Sequence, residues 1–342
     1  MELLIKMKKL CFSILFVFQI SCFTSVYAEQ FTQQSYAVPV QKPYIFAKNK
    51  PTKALVELGR ILFFDKRVSG NNSMSCATCH RPDKFWSDGL KLGIGHNGVQ
   101  LNRSTPTLIN AAYNKKQFWD GRASSLEQQS TMPIESPQEM NQNLDELVIE
   151  LKGIKGYVAL FAETFQSKRI TRANISRALA AFQRSLTSEN TVFDRWYLGE
   201  NDVMSKSAIR GFKIFEGKAE CVECHSGFNF TDDEFHNIGL KSYAKSRDMG
   251  RYDITGNFRD KGAFKTPTLR NVVNTAPYMH DGSIQTIDQV IDFYNEGGIK
   301  NENIDEDMKK LNLTQNEKSD LIAFLKTLSG NVQVSIPVSF PK

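Results

Sequence analysis

The pentapeptide Cys76-Ala77-Thr78-Cys79-His80 recurs as Cys221-Val222-Glu223-Cys224-His225. No other feature of the chain restricts its fold and chemistry as strongly. Three chemistries use Cys-x-x-Cys. A redox dithiol needs two sulfurs and no histidine. A zinc ribbon needs four ligands, with its knuckles about 15–20 residues apart. A c-type haem needs both cysteines for thioether bonds and the next residue as the proximal iron ligand. Only the third chemistry makes the histidine compulsory, and it is present both times. The motifs therefore read as two covalent haem sites, built on Cys76, Cys79 and His80 and on Cys221, Cys224 and His225. Zinc and dithiol chemistry are the competing readings.

The N-terminus agrees with that chemistry. Lys6, Lys8 and Lys9 precede an apolar run from Leu10 to about Phe23, and Val26-Tyr27-Ala28 is a small-x-small cleavage site. Residues 1–28 are expected to be a secretory signal peptide, too short for a membrane span, which places the mature protein in the periplasm. The alternative is a lipid anchor on Cys22, against which Gln19, three places earlier, argues. Cys11 and Cys22 lie inside the signal, so the four other cysteines all belong to the motifs and none remains for a disulfide framework. The net charge of +6 is mild and mixed. It does not suggest nucleic acid and only weakly favours an acidic partner. No second segment is apolar enough to cross a bilayer.

An internal repeat extends beyond the motifs. "GRILFFDKRVSGNNSMSCATCH" resembles "GFKIFEGKAECVECH", and "STPTLINAAYNKKQFWDGR" resembles "KTPTLRNVVNTAPYMHDGS". The interval from Thr105 to Asp120 equals that from Thr266 to Asp281, which sets Trp119 opposite His280. Helical periodicity lies between and after the motifs: Leu144, Leu147, Val148 and Leu151 share one face, as do Ile175, Leu179, Phe182 and Leu186. Asn143 and Thr171 are candidate N-caps, Thr314 and Glu317 a capping box, and Gly330 a stop. No segment sustains period-two alternation, and the polar loop from Phe228 to Lys265 has room for a short hairpin. The expected class is all-α: two cytochrome c-like haem domains related by internal duplication, with long loops. Residues 29–203 form the first domain and 204–342 the second, with the junction in the polar stretch near 199–207.

Each iron held by one histidine has a second axial position, and what fills it separates electron transfer from catalysis. His96 in "LGIGHNG" is either a removable sixth ligand or a loop histidine. Taken alone, Glu139 in "PIESPQEM" reads as a cap or solvated charge, and Trp119 in "FWDG" as core.

Together, "SCATCH", "GHNG", "TPTLINAAYNKKQFWDGRASSLEQQ", "CVECH" and "FKTPTLRNV…APYMHDGS" resemble the bacterial diheme cytochrome c peroxidases and their relative, the methylamine-utilisation protein MauG. The resemblance covers nearly all of the mature chain. It implies that the first haem is the peroxidatic one, with His80 as proximal ligand and His96 as the distal histidine that leaves iron on activation. It implies that Glu139 is the acid–base group of the peroxide pocket, with Gln129 beside it. Such a group is needed because a proton must move between the two peroxide oxygens as their bond breaks. Trp119 matches the tryptophan between the haems. Arg270 and His236 match neighbours of the haem propionates. Thr275 and Pro277 match carbonyl donors to an inter-haem calcium, where Ser104 stands in place of the usual asparagine and makes a weaker donor.

At the second haem the resemblance implies His225 as proximal ligand. Where the peroxidases carry a methionine, this chain has Tyr294, as MauG does; Met279, beside His280, is the alternative ligand. Phenolate is a hard anionic donor that favours higher oxidation states of iron, so it lowers the potential. The expected function is an exported diheme peroxidase that reduces hydrogen peroxide with electrons from a small cytochrome c or cupredoxin. The rival is MauG-like oxidation of Trp or Tyr residues on a partner protein. A diheme electron carrier without peroxide chemistry is the alternative from another class, and it would have no use for Glu139. A homodimer is left open.

Overall fold

The computed structural model describes residues 36–37, 51–166, 169–240, 248–332 and 334–342. The expected signal peptide, residues 1–28, lies outside the described residues. The described chain is helical, with helices α1 (Lys53–Phe64), α2 (Cys76–Cys79), α3 (Leu126–Glu135), α4 (Leu144–Gly153), α5 (Lys155–Phe165), α6 (Arg172–Arg184), α7 (Val192–Tyr197), α8 (Lys206–Glu216), α9 (Tyr252–Thr255), α10 (Ile287–Glu296) and α11 (Gln315–Thr327). Its one sheet among the described residues is the antiparallel pair β1 (Phe235–His236) and β2 (Phe264–Lys265), inside the loop expected to hold a hairpin. No described helix is long and apolar enough to cross a membrane.

The helix ends follow the sequence signals. Asn143 accepts from the Asp145 and Glu146 amides, Thr171 accepts from Asn174, and Thr314 and Glu317 form a reciprocal capping box. Each arrangement satisfies amide groups that the first helical turn leaves unpaired. Leu144, Leu147 and Leu151 are buried, as are Ile175, Leu179, Phe182 and Leu186. Val148 packs at the margin of the same core.

Two helix pairs make the closest packing. In the first, α1 meets α6, and a Cβ on Gly59 would lie 1.9 Å from the Ala178 carbonyl oxygen and 2.9 Å from Phe182 Cβ. In the second, α8 meets α11, and a Cβ on Gly211 would lie 1.9 Å from the Asp320 carbonyl oxygen and 2.9 Å from Phe324 Cβ. Only glycine allows backbones this close. Phe63, Trp86 and Phe182 fill one core, and Phe212, Phe215, Phe230 and Phe324 the other.

The cores exchange segments. Helix α7, ahead of the expected junction, delivers Phe193 to the second core, where Tyr36 also packs. At the other end of the chain, Val332 and Val334 pack on the first core. Arg60 donates to the Ser335 carbonyl at 2.6 Å, Arg67 to that of Pro341 at 3.0 Å, and the Gly156 amide to that of Lys342 at 2.8 Å.

The repeated Thr-Pro-Thr-Leu segments fold alike. Asn110 and Asn271 adopt left-handed backbone (φ 59° and 61°), each before a short 3-10 turn. Asparagine is among the few residues other than glycine that enter this conformation readily. The Asn110 Oδ1 accepts from the Ser188 amide and the Asn271 Oδ1 from that of Gly330, both at 2.9 Å. Isolated bridges Gln117–Ala123 and Tyr278–Ile284 follow, leading to α3 and α10. Between the repeats the Ser104 amide donates to the His280 carbonyl at 2.7 Å, and the Lys265 amide donates to the Trp119 carbonyl at 2.8 Å. These positions correspond in the repeat, so the contact is reciprocal.

Candidate active site

Local backbone prepares both motifs. Cys76–Cys79 is a single helical turn capped by Ser75 and Thr78, and Cys221–Glu223 is a 3-10 turn. The His80 amide donates to the Cys76 carbonyl at 2.9 Å and the His225 amide to that of Cys221 at 2.8 Å. Each imidazole then bonds through Nδ1 to a carbonyl oxygen, His80 to Trp86 at 3.0 Å and His225 to Phe230 at 2.9 Å. With Nδ1–H so engaged, Nε2 keeps its lone pair, as an iron ligand requires. Burial lowers both imidazole pKa values.

The thiols argue against the competing chemistries. Burial pushes Cys76, Cys221 and Cys224 up to about 12 and Cys79 to about 11. A working dithiol needs the opposite shift. The metal-type group among the described residues is Cys224, Asp232 and His236. The His236 ring, however, already bridges two carboxylates, Asp232 from Nε2 at 2.8 Å and Asp305 from Nδ1 at 2.6 Å. The hydrogen bond to Asp232, with that to Asp305, raises its pKa to about 9.

That bridge gives a pH prediction. The folded pKa lies above the unfolded value of about 6.5, so the stabilisation is complete below pH 6.5 and is lost as pH rises through about 9. Denaturant unfolding of wild type and His236→Gln between pH 6 and 10 should show the gap closing, by up to roughly 3 kcal/mol. A gap that stays constant over this range contradicts a charged bridge.

A cavity of about 970 Å3 opens beside the first motif, with Cys76, Cys79 and His80 on its wall. The same cavity is lined by Gln129 and Pro133 from α3 and, just beyond it in the chain, Glu139. The Gln129 Oε1 is buried and unpartnered. Trp119, Ser104, Thr275 and Pro277 line the side nearer the second repeat, and the Trp119 indole N–H donates to the Ser104 carbonyl at 2.9 Å. Arg103, Arg122 and Lys265 also line the wall, each paired with an aspartate: Arg103 with Asp120 and Asp248, Arg122 with Asp120, and Lys265 with Asp233. The donor set, the free Nε2 and the unpartnered amide fit a haem here.

His96 does not line this cavity, although Gly95 does. The His96 Nε2 lies 3.4 Å from the Asn141 amide nitrogen, and its Nδ1 is buried without a partner. Its backbone is fastened to the Glu139 loop: the His96 amide donates to the Gln138 carbonyl at 3.0 Å, and a Cβ on Gly95 would sit 1.9 Å from that oxygen.

At the second motif, Tyr294 on α10 brings its phenol within electrostatic range of Cys224 and Cys221. Burial raises the phenol pKa first, and the two thiols raise it further. A buried phenol of this kind ionises only against a cation, which a ferric iron would supply. Met279, in left-handed backbone at φ 72°, lines the first cavity instead. Its neighbour His280 stacks on Phe264 with ring centroids 3.4 Å apart, and burial takes its pKa down to about 4. Arg270 is fully buried, donating twice to the Phe228 carbonyl at 2.8 and 2.9 Å and pairing with Asp194 at 2.8 Å.

Residues 53–202 match the family model for di-haem cytochrome c peroxidase. The methylamine utilization protein MauG of Methylorubrum extorquens is 45% identical over 82% of this chain and 80% of its own. The chain belongs to the di-haem cytochrome c peroxidase and MauG family. Cytochrome c551 peroxidase of Nitrosomonas europaea is 34% identical over 81% of this chain and 80% of its own. The crystal structure of a MauG-like protein associated with microbial copper homeostasis superposes with a TM-score of 0.77 at 33% identity, covering 86% of this chain and 92% of that one. Membership makes the protein a di-haem peroxidase-type oxidoreductase carrying two c-type haems.

Proposed function

We propose that the protein is an exported enzyme that takes two electrons into hydrogen peroxide at the first motif and draws them from a partner protein. The observation that carries this reading is one cavity lined by His80, Gln129 and Glu139 together. The thioether bonds are assigned to Cys76, Cys79, Cys221 and Cys224, and the proximal nitrogens to His80 and His225. The haem supplies the electron exchange with peroxide. Glu139 holds and moves the proton that passes from one peroxide oxygen to the other, and Gln129 orients the substrate. Reduction of one peroxide to two waters consumes two electrons and two protons, and the partner is oxidised by two electrons. Trp119, whose carbonyl accepts from the Lys265 amide across the reciprocal contact while its indole donates to Ser104 of its own half, is assigned as the link between the halves.

The nature of the partner turns on Tyr294. Its phenol beside Cys221 and Cys224 favours the MauG-like reading, in which side chains of a partner protein are oxidised. A phenolate ligand makes the second haem a poor acceptor from an ordinary cytochrome c. The peroxidase reading, with a small cytochrome c or cupredoxin donor, is favoured by the His96 loop, which is tied to the Glu139 loop and could return a ligand to the first iron. Calcium is assigned to Ser104, Thr275 and Pro277; with no carboxylate among these donors, binding would be weak. The matched geometry around Gly59 and Gly211, and around Asn110 and Asn271, supports an origin by duplication.

The assignment is tested by intact mass under denaturing conditions. The protein expressed with haem attachment should retain two haems, and peptide mapping should place one on Cys76 and Cys79 and one on Cys221 and Cys224. Loss of all haem into acid–acetone would exclude covalent attachment.

A further inference from the structure

Gln183 lies on α6 and is only 4% exposed, and its Oε1 is buried without a hydrogen-bond partner. A buried carbonyl oxygen without a partner is destabilising, so packing alone gives no reason for it. The two halves make the point sharper. Phe182 touches Gly59 as Phe324 touches Gly211, a register that sets Gln183 against Leu325. Leu325 is a buried member of the second core. Leucine therefore satisfies this helix position in one half, and glutamine occupies it in the other.

What differs is the cavity. Gln183 lines the space of about 970 Å3 that His80, Gln129 and Glu139 also line. Its helix is locked to the one carrying Gln129. Arg184 holds the Glu127 carboxylate with two bonds at 2.6 and 2.8 Å, and the Ser176 hydroxyl donates to the Glu127 carbonyl at 2.7 Å. The two amides are thus carried by elements that cannot drift apart. Rotation about the last side-chain bond exchanges the oxygen and nitrogen of an amide, so Gln183 can turn a donor toward the cavity.

We propose that Gln183 is a second hydrogen-bonding amide of the first cavity, donating an N–H to a small oxygen ligand held there, hydrogen peroxide as substrate. The inference rests on the peroxide reading of this cavity. It gives the site two amides and one carboxylate, a set that recognises a ligand able both to accept and to donate.

Fluoride and carbon monoxide, added to full-length protein with both haems, test it. Fluoride accepts a hydrogen bond strongly and carbon monoxide hardly at all. Gln183→Leu, the residue of the other half, and Gln183→Met should each weaken fluoride binding to the ferric protein by about threefold to tenfold. Carbon monoxide affinity of the reduced protein should stay within about twofold, as should the optical spectrum without ligand. Unchanged fluoride affinity overturns the proposal and leaves the peroxide reading standing. Equal weakening of both ligands also overturns it, since Gln183 would then only support the fold. A wild-type protein that binds neither ligand overturns the open-cavity reading, and the role of Gln183 falls with it.

Discussion

Glu139→Gln is expected to leave both haem spectra intact and to slow the reaction with hydrogen peroxide by roughly 10²–10⁴-fold, the effect of losing a placed acid–base group. The substitution keeps size and hydrogen bonding but removes the proton acceptor. Glu139 lines the same cavity as His80, and its loop is held by the His96 amide on Gln138 and by its own amide bond to the Ser136 carbonyl at 3.1 Å. The glutamine side chain should therefore occupy the same place. Rapid mixing of ferric protein with peroxide, followed optically, gives the rate. A variant as fast as wild type removes Glu139 from the reaction and shifts the role to another group on the wall.

Tyr294→Met is expected to produce the largest change at the second haem. Thioether sulfur favours ferrous iron and anionic oxygen the higher states, so the potential should rise by on the order of 0.1–0.3 V within the ~0.8 V that axial ligands span. The two-equivalent oxidised state left by one peroxide should become shorter-lived, and turnover with a reduced small cytochrome should improve. The structure gives methionine a place to act, because α10 already carries residue 294 beside Cys221 and Cys224. Anaerobic redox titration of both proteins is the measurement. A wild-type second haem already at high potential, with a red sulfur-to-iron band, would show methionine ligation and return the chain to the ordinary peroxidases.

Much of this arrangement was legible in the sequence, for identifiable reasons. Both Cys-x-x-Cys-His motifs are contiguous in the chain, and the repeat around Thr105 and Thr266 shares the words Thr-Pro-Thr-Leu-x-Asn and Asp-Gly. Both report local backbone: Asn110 and Asn271 are asparagine because each must enter left-handed conformation. The caps at Asn143, Thr171 and Thr314 are local as well. Contacts between distant segments were not legible. Nothing near Phe193 signals that α7 packs in the second core, or near Ser335 and Pro341 that the chain returns to Arg60 and Arg67. His236 looked like a neighbour of a haem carboxylate, yet its ring holds Asp232 and Asp305, the latter far along the chain. Arg270, read the same way, spends its guanidinium on Asp194 and Phe228. Gln183 carries no mark in the helical pattern, because its unpartnered oxygen becomes visible only when α6 is laid against the cavity. Glu139 carries no local mark that separates it from a helix cap, and resemblance alone singled it out.

The account stands most directly on what one equivalent of peroxide does to the fully loaded protein. Ferric wild type should consume hydrogen peroxide in a single rapid phase and then withdraw two electrons from an added reductant for each peroxide spent. The same protein with Glu139→Gln should be slow in the first phase only. A wild-type protein whose spectrum is unmoved by peroxide, and which merely passes electrons between reductant and oxidant, would be a di-haem carrier and would contradict the account.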